Sequence, residues 1–195
     1  MQNNFESLIS SFIENKVGVA DHFLTPALLK NLALNLEKRY ASDQMKQAGT
    51  GNTGAERGKL FRTDFIHWLD RKHEDEFENG FFDLMDEFII YLNHSCYTGI
   101  KSYEFHYTLY PAGSCYKRHL DQFKNNDSRQ FSMIMYLNID WKTEDGGELR
   151  IFHHDHNQDI SPDNGKVVFF KSSELEHEVL LTHKARLSIT GWLKS

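Results

Sequence analysis

The hydrophobic period changes once along this chain, and that change limits the folds open to it. Up to about residue 100 apolar residues recur at helical spacing, and from Ser102 onward they alternate. In "LTPALLKNLALNLEKRY", Thr25 offers an N-cap and Pro26 occupies the first helical position, where its missing N–H costs little. Leu29, Leu32 and Leu36 then fall on one face. "EFENGFFDLMDEFIIYLNHSC" aligns Phe77, Phe81, Met85, Phe88 and Leu92 along a second long helix. Between them, "FRTDFIHWL" reads as a short strand, and the Gly/Thr/Asn-rich stretch 46–59 as a loop without a period.

Beyond Ser102 the segments "SYEFHYTLY", "RQFSMIMYLNI", "GELRIF", "KVVFF" and "ARLSITGWL" are short and rich in β-branched and aromatic residues. "NNDS", "TEDGG" and "SPDNG" punctuate them as turns. Helices first and strands later predict an α+β fold with a mainly β core, a sandwich or barrel whose helices pack on one outer face. No internal repeat, Pro-rich linker or compositional break divides the chain. We therefore expect one domain over 1–195, with a helical buttress and flanking strands over about 1–100 and a barrel over about 101–195.

With 195 residues, one sizeable core is affordable. The net charge of -6 argues against a nucleic-acid partner. No apolar run approaches the roughly 20 residues that span a bilayer, so no membrane is expected. The N-terminal "MQNNFESLISSF" lacks the basic-then-apolar order of a secretory signal. Two cysteines make a poor disulfide framework, which points to a reducing, cytoplasmic setting. Cys115 reads as a small semi-buried residue and Cys96 as plain packing.

Eleven histidines make a search for metal ligands worthwhile. In an extended "YKRHLDQF", His119 and Asp121 would share a face and Arg118 and Leu120 would point away. Alone, this His-x-Asp is a weak signal, more often an incidental polar strand face than part of a metal site. The far end of the chain strengthens it. His177 follows "KVVFF", and a hairpin to "ARLSITGWL" would bring Arg186 to the same cavity. Alternation there puts Arg186, Ser188, Thr190 and Trp192 on one face, and Leu187, Ile189 and Leu193 on the other. A guanidinium beside hydroxyls suits an anionic ligand, which it can engage bidentately. "FHHDHNQD", with His153, His154 and His156, reads instead as an exposed hairpin loop.

The string "YPAGSCYKRHLD … SMIMYLNIDW … GGELRIF … VVFFKSSELEHEV … ARLSITGW" resembles the Fe(II)/2-oxoglutarate oxygenases, most of all the prolyl hydroxylase branch. The resemblance spans about Gly18 to Trp192 and includes the upstream Arg-x-Asp-x-Ile-x-Trp of "FRTDFIHWL". It implies a double-stranded β-helix, a jelly-roll or cupin-like barrel buttressed by the N-terminal helices. It implies Fe(II) held by His119, Asp121 and His177, and 2-oxoglutarate held at its far carboxylate by Arg186. Tyr136, Thr190 and Ser188 would lie nearby, with Tyr110 on the opposite wall. O2 is the other cosubstrate, succinate and CO2 are products, and ascorbate is a candidate reductant. Arg129, Trp192, Asp64 and Tyr116 fall on the substrate side, with an Asp64–Arg129 ion pair expected at the entrance, and 46–59 lies where relatives carry a substrate-covering loop. The implied reaction is hydroxylation of a prolyl residue in a protein or peptide. The alternatives are a free amino acid or other small molecule as substrate, or a non-catalytic barrel that senses metal or 2-oxo acid. Met135, where hypoxia-sensing relatives have an aromatic, and Leu187-Ser188 in place of Tyr-Ala depart from the pattern and weaken the substrate assignment.

Overall fold

The computed structural model of the protein describes residues 2–49, 62–122 and 127–195. Among the described residues three α-helices precede the barrel: α1 (Gln2–Asn15), α2 (Pro26–Ala41) and α3 (Glu76–Cys96). α1 buries Phe5, Leu8 and Ile9, one stripe at helical spacing. α2 begins where expected, with Thr25 Oγ1 accepting from the Leu28 amide at 3.3 Å. α3 is capped by Asp75, whose carboxylate accepts from the Phe77 and Glu78 amides, and it ends at Tyr97 in the left-handed region.

The described residues hold eleven strands: β1 (Val17–Ala20), β2 (Lys46–Gln47), β3 (Phe65–Trp68), β4 (Ser102–Tyr110), β5 (Tyr116–His119), β6 (Arg129–Tyr136), β7 (Leu149–Phe152), β8 (Asn157–Ile160), β9 (Val167–Lys171), β10 (His177–Val179) and β11 (Arg186–Lys194). They form two antiparallel sheets, the major one in the order β1-β9-β6-β11-β4-β3-β2 and the minor one in the order β5-β10-β7-β8. This is the double-stranded β-helix. One core lies between the helices and the outer face of the major sheet, holding Phe81, Phe88, Phe105, Phe169 and Ile189. A second, smaller core lies between the sheets, around Tyr136, Leu149, Ile151 and Phe170.

Period-two alternation explains the division. On β11, Leu187, Ile189 and Leu193 join the helix-side core, so Arg186, Ser188, Thr190 and Trp192 face the minor sheet. β1 adds an edge strand along β9, and α1 packs down on it. A Cβ at Gly18 would come within 2.6 Å of the Leu8 carbonyl oxygen, so only glycine permits that approach.

Several expectations need correction. The stretch 46–59 begins as strand β2, and 50–61 lies outside the described residues, as do Phe61, Phe123 and part of the turn "NNDS". β10 and β11 do not form a hairpin: β10 pairs with β5 and β7, whereas β11 pairs with β4 and β6. Cys96 is exposed at the end of α3 because the helix's last turn leaves the core, whereas Cys115 is half-buried. Among the described residues no helix is long and apolar enough to cross a membrane.

Candidate active site

The minor sheet delivers the histidines. His119 ends β5 and pairs in register with His177 of β10. Asp121 lies just past the strand, where the chain bends, yet its carboxylate still turns to the same point. Its Oδ1 is 3.6 Å from His119 Nε2, and its Oδ2 is 3.6 Å from His177 Nε2. One donor atom from each residue lies within 4.8 Å of the other two. Leu120 between them is exposed, and Arg118 points outward to pair with Glu176.

The outer nitrogens set the tautomers. His119 Nδ1 lies 2.7 Å from the Lys117 carbonyl oxygen, and His177 Nδ1 lies 3.2 Å from that of Leu175. A carbonyl only accepts, so each Nδ1 carries the proton and each Nε2 keeps its lone pair facing Asp121. Ser132 Oγ of β6 donates to Asp121 Oδ2 at 2.6 Å and meets Ser172 Oγ at 2.9 Å. Burial favours a protonated Asp121, but positive charge on the facing imidazoles in acid, together with the Ser132 hydroxyl, outweighs it and holds the carboxyl well below its usual range. Burial pushes His177 down to about 4, with Asp121 opposing that shift and His119 adding to it. Two neutral imidazoles and one carboxylate, without thiolate, form a nitrogen–oxygen set suited to Fe(II) and similar divalent ions.

Arg186 of β11 marks the other end of the same cavity. It is 1% exposed, and its Nε donates to the Gly147 carbonyl at 2.8 Å. A Cβ at Gly147 would fall 3.1 Å from Arg186 Cδ, so the absence of a side chain there makes room for it. The guanidinium carbon lies 4.9 Å from the Tyr136 ring centre and 5.2 Å from that of Tyr110. Arg186 Nη2 and the Tyr136 hydroxyl are both buried, and neither has a hydrogen-bond partner among the described residues. A buried guanidinium N–H left unpaired is costly, and a carboxylate would pair it with two strong bonds. The residues therefore fit a 2-oxo acid, whose carboxylate Arg186 would pair in the cavity that the triad also lines. Burial raises the Tyr136 pKa against the opposing charge of Arg186, and raises that of Tyr110 well above its ordinary value.

The cavity has an empty volume of about 430 Å³, its open mouth included. Thr190, Tyr110, Tyr116 and Trp192 line it, whereas Tyr136 and Ser188 are buried behind the lining. Tyr110 is not on an opposite wall. It is the cross-strand partner of Arg186 within the major sheet, because β4 runs antiparallel beside β11. The Asp64–Arg129 ion pair is also absent. Asp64 is buried and takes a two-point contact from Arg62, two residues earlier in the segment that leads into β3, at 2.6 and 2.9 Å. Arg129 pairs instead with Glu104 at 2.8 Å and lies 3.4 Å over the Trp192 ring. His153, His154 and His156 sit at the tip of the β7–β8 hairpin, away from the triad.

Sequence reasoning missed His106, Ser132 and Glu104. His106 lines the cavity and pairs across strands with Thr190 and Trp68. Burial drives it down to about 4, with Arg62 adding to the shift and the Tyr107 carbonyl opposing it. The signal was present in "SYEFHYTLY", where Glu104, His106, Thr108 and Tyr110 alternate with Phe105, Tyr107 and Leu109. That polar face is the mate of the polar face on β11.

Comparison with known proteins gives this geometry a setting. Residues 105–194 match the 2OG-Fe(II) oxygenase superfamily. Egl nine homolog 1 of Homo sapiens is 27% identical over 96% of this chain and 46% of its own length, so the chain spans about half of that curated relative. A prolyl hydroxylase from Trichoplax adhaerens, solved with a hypoxia inducible factor oxygen degradation domain peptide fragment, shares the fold. Its TM-score is 0.87 at 22% identity, covering 99% of this chain and 91% of that one. A Pseudomonas putida prolyl-4-hydroxylase superposes equally well, with a TM-score of 0.87, and is 32% identical over 97% of this chain and 98% of its own. That likeness runs the length of both chains and takes in the barrel that carries the triad and Arg186, and on it the chain belongs to the 2OG-Fe(II) oxygenase superfamily.

Proposed function

We propose that the protein is an Fe(II)- and 2-oxoglutarate-dependent dioxygenase that hydroxylates a prolyl residue of a protein or peptide, with release of succinate and CO2. In this reading residues 1–195 work as one catalytic domain. The observation that carries it is the pairing, in one cavity, of three convergent donors within 4.8 Å with a buried Arg186 whose Nη2 has no hydrogen-bond partner among the described residues. Bound Fe(II), with 2-oxoglutarate, supplies the oxygen-activating chemistry. His119, Asp121 and His177 would hold the metal, as two imidazole nitrogens and one carboxylate suit Fe(II). Arg186 fixes the far carboxylate of the cosubstrate, supported by Tyr136 and Ser188 behind it and by Tyr110 and Thr190 in the wall. Trp192, Arg129, Asp64 and Tyr116 belong to the substrate side.

A polypeptide substrate is favoured by the rim. Trp68 is 45% exposed there, 6.4 Å from the Trp192 ring, and offers apolar surface outside the cavity. The prolyl hydroxylases of Pseudomonas putida and Trichoplax adhaerens, the latter with its bound peptide, support the same choice. A cytoplasmic setting, consistent with two free cysteines, and ascorbate as reductant are part of the proposal.

Anaerobic addition of Fe(II) and 2-oxoglutarate should produce a metal-to-ligand charge-transfer band that neither produces alone. No band in the wild-type protein sinks the oxygenase reading. With O2 and a library of prolyl peptides, a gain of one oxygen atom on proline is expected by mass spectrometry. Oxygen found only on free amino acids would favour a small-molecule substrate.

A further inference from the structure

The two histidines of the triad are not equally supported. His177 sits on β10, an inner strand of the minor sheet, and its ring meets the edge of Phe170 at 4.9 Å. His119 ends β5, a four-residue strand at the edge of that sheet. The chain bends directly after it. A ligand on a short edge strand needs an outside restraint if its ring is to keep its orientation.

Tyr116 provides a surface for that restraint. Its ring lies against the His119 imidazole with centroids 3.6 Å apart and planes at 17°. On Tyr116 in turn lies Arg62, with its guanidinium carbon 4.6 Å from the ring centre. Arg62 is fixed by its two-point contact with the fully buried Asp64. The backbones are tied as well. Arg62 and Tyr116 form an isolated β-bridge, and Thr63 Oγ1 donates to the Cys115 carbonyl and accepts from the Cys115 amide. The segment 62–64 of the major-sheet side thus reaches across to β5, which belongs to the other sheet.

We propose that Tyr116, clamped by the Arg62–Asp64 pair, is a positioning residue that holds the His119 ring for metal binding. This rests on the reading of His119, Asp121 and His177 as metal ligands. It assigns Tyr116 a role toward the ligand in addition to its place on the substrate side. Planar stacking resists rotation of the imidazole out of the ligand plane, and the cation above the Tyr116 ring resists its withdrawal. Partners of this kind affect metal affinity by about 10- to 100-fold.

The test uses the full chain, with cobalt(II) as the probe because its d–d absorption reports ligand geometry. Tyr116→Phe keeps the ring plane and should bind cobalt(II) within about 2-fold of wild type, with an unchanged spectrum. Tyr116→Met fills similar space without a plane and should bind about 10-fold more weakly, with a shifted spectrum. Tyr116→Met binding as tightly as wild type with the same spectrum overturns the proposal. So does Tyr116→Phe weakening as much as Tyr116→Met, since the hydroxyl and not the plane would then matter. If Tyr116→Met does not fold, Arg62→Lys carries the test. It keeps a charge beside Asp64 but loses the fork, and a shifted spectrum is expected, whereas an unchanged one refutes the clamp. Wild-type protein that binds no metal strikes the ligand assignment itself, a different outcome from either of these.

Discussion

Two carboxylates, the fully buried Glu78 and the half-buried Asp121, each face histidine, one on either side of the major sheet, and they are built for opposite ends. On the helix side, Glu78 of α3 is fully buried and contacts Arg39 Nη2 at 2.8 Å and His73 Nδ1 at 2.7 Å. Those are closed, direct hydrogen bonds, one of them to a permanent cation. Between the sheets, Asp121 stands 3.6 Å from each of two imidazole nitrogens whose protons are committed elsewhere. That spacing is too long for a hydrogen bond, and it suits donors arranged around one ion with bonds of about 2.1 Å. Carboxylate plus histidine does not by itself distinguish a structural pair from a metal site. The distinguishing features are the gap and the orientation of the lone pairs.

Substituting both carboxylates gives the largest and clearest contrast. Asp121→Ala should lower Fe(II) affinity by more than about 100-fold, measured by equilibrium titration, because it removes a ligand and not merely a ligand's support. Glu78→Gln should leave that affinity within about 2-fold. It should lower unfolding stability by about 3 kcal/mol in urea titration, because Arg39 is left partly buried beside a neutral group. Matching losses of metal affinity in the two variants would dissolve the distinction.

The second contrast lies within the cavity, between its metal end and its anion end. Arg186→Met should raise the concentration of 2-oxoglutarate needed for half-saturation by about 100-fold, since two charge-assisted hydrogen bonds at about 1.5 kcal/mol each are lost. Fe(II) affinity without 2-oxoglutarate should hold. A variant with unchanged cosubstrate affinity would place the carboxylate elsewhere.

Much of this was legible before the structure because it depends on local rules. Thr25 and Pro26 fix the start of α2, and the apolar stripe from Phe77 to Leu92 fixes α3. Alternation along β11 sorts its residues correctly between the core and the cavity. What was not legible depends on which strands meet. The partner of Arg62 is its near neighbour Asp64, and Glu104 takes Arg129, because β4 runs beside both β3 and β11. The same register puts Tyr110 next to Arg186 and not across from it. β1, β5, β8 and β10 have four residues or fewer and carry too little pattern to stand out. His177 joins Arg186 by the facing of two sheets, a relation that no spacing in the sequence expresses.

The smallest expected effect separates the cavity wall from the triad. His106 and His177 are both pushed down to about 4, in each case first by burial, from the usual 6.5 of an exposed histidine. Between those values the unfolded chain binds more protons than the folded one, so stability rises with pH from about 4 to 6.5 and is flat above. Asp121 acts in a lower window, because its folded pKa is depressed and its contribution is lost only as pH falls below the ordinary carboxylate range. His106→Met removes one of the two histidine contributions and fills the same wall with an apolar side chain. Metal-free protein unfolded in urea at pH 5 and pH 7 should therefore show a smaller stability difference in the variant than in wild type. Fe(II) affinity should be unchanged, because the ring of His106 is turned to Thr108 and the Tyr107 carbonyl and lies outside the cluster of donors. An identical pH dependence in the two proteins would mean that His106 is not held neutral by the wall. A loss of metal affinity would mean that the wall and the triad are one unit after all.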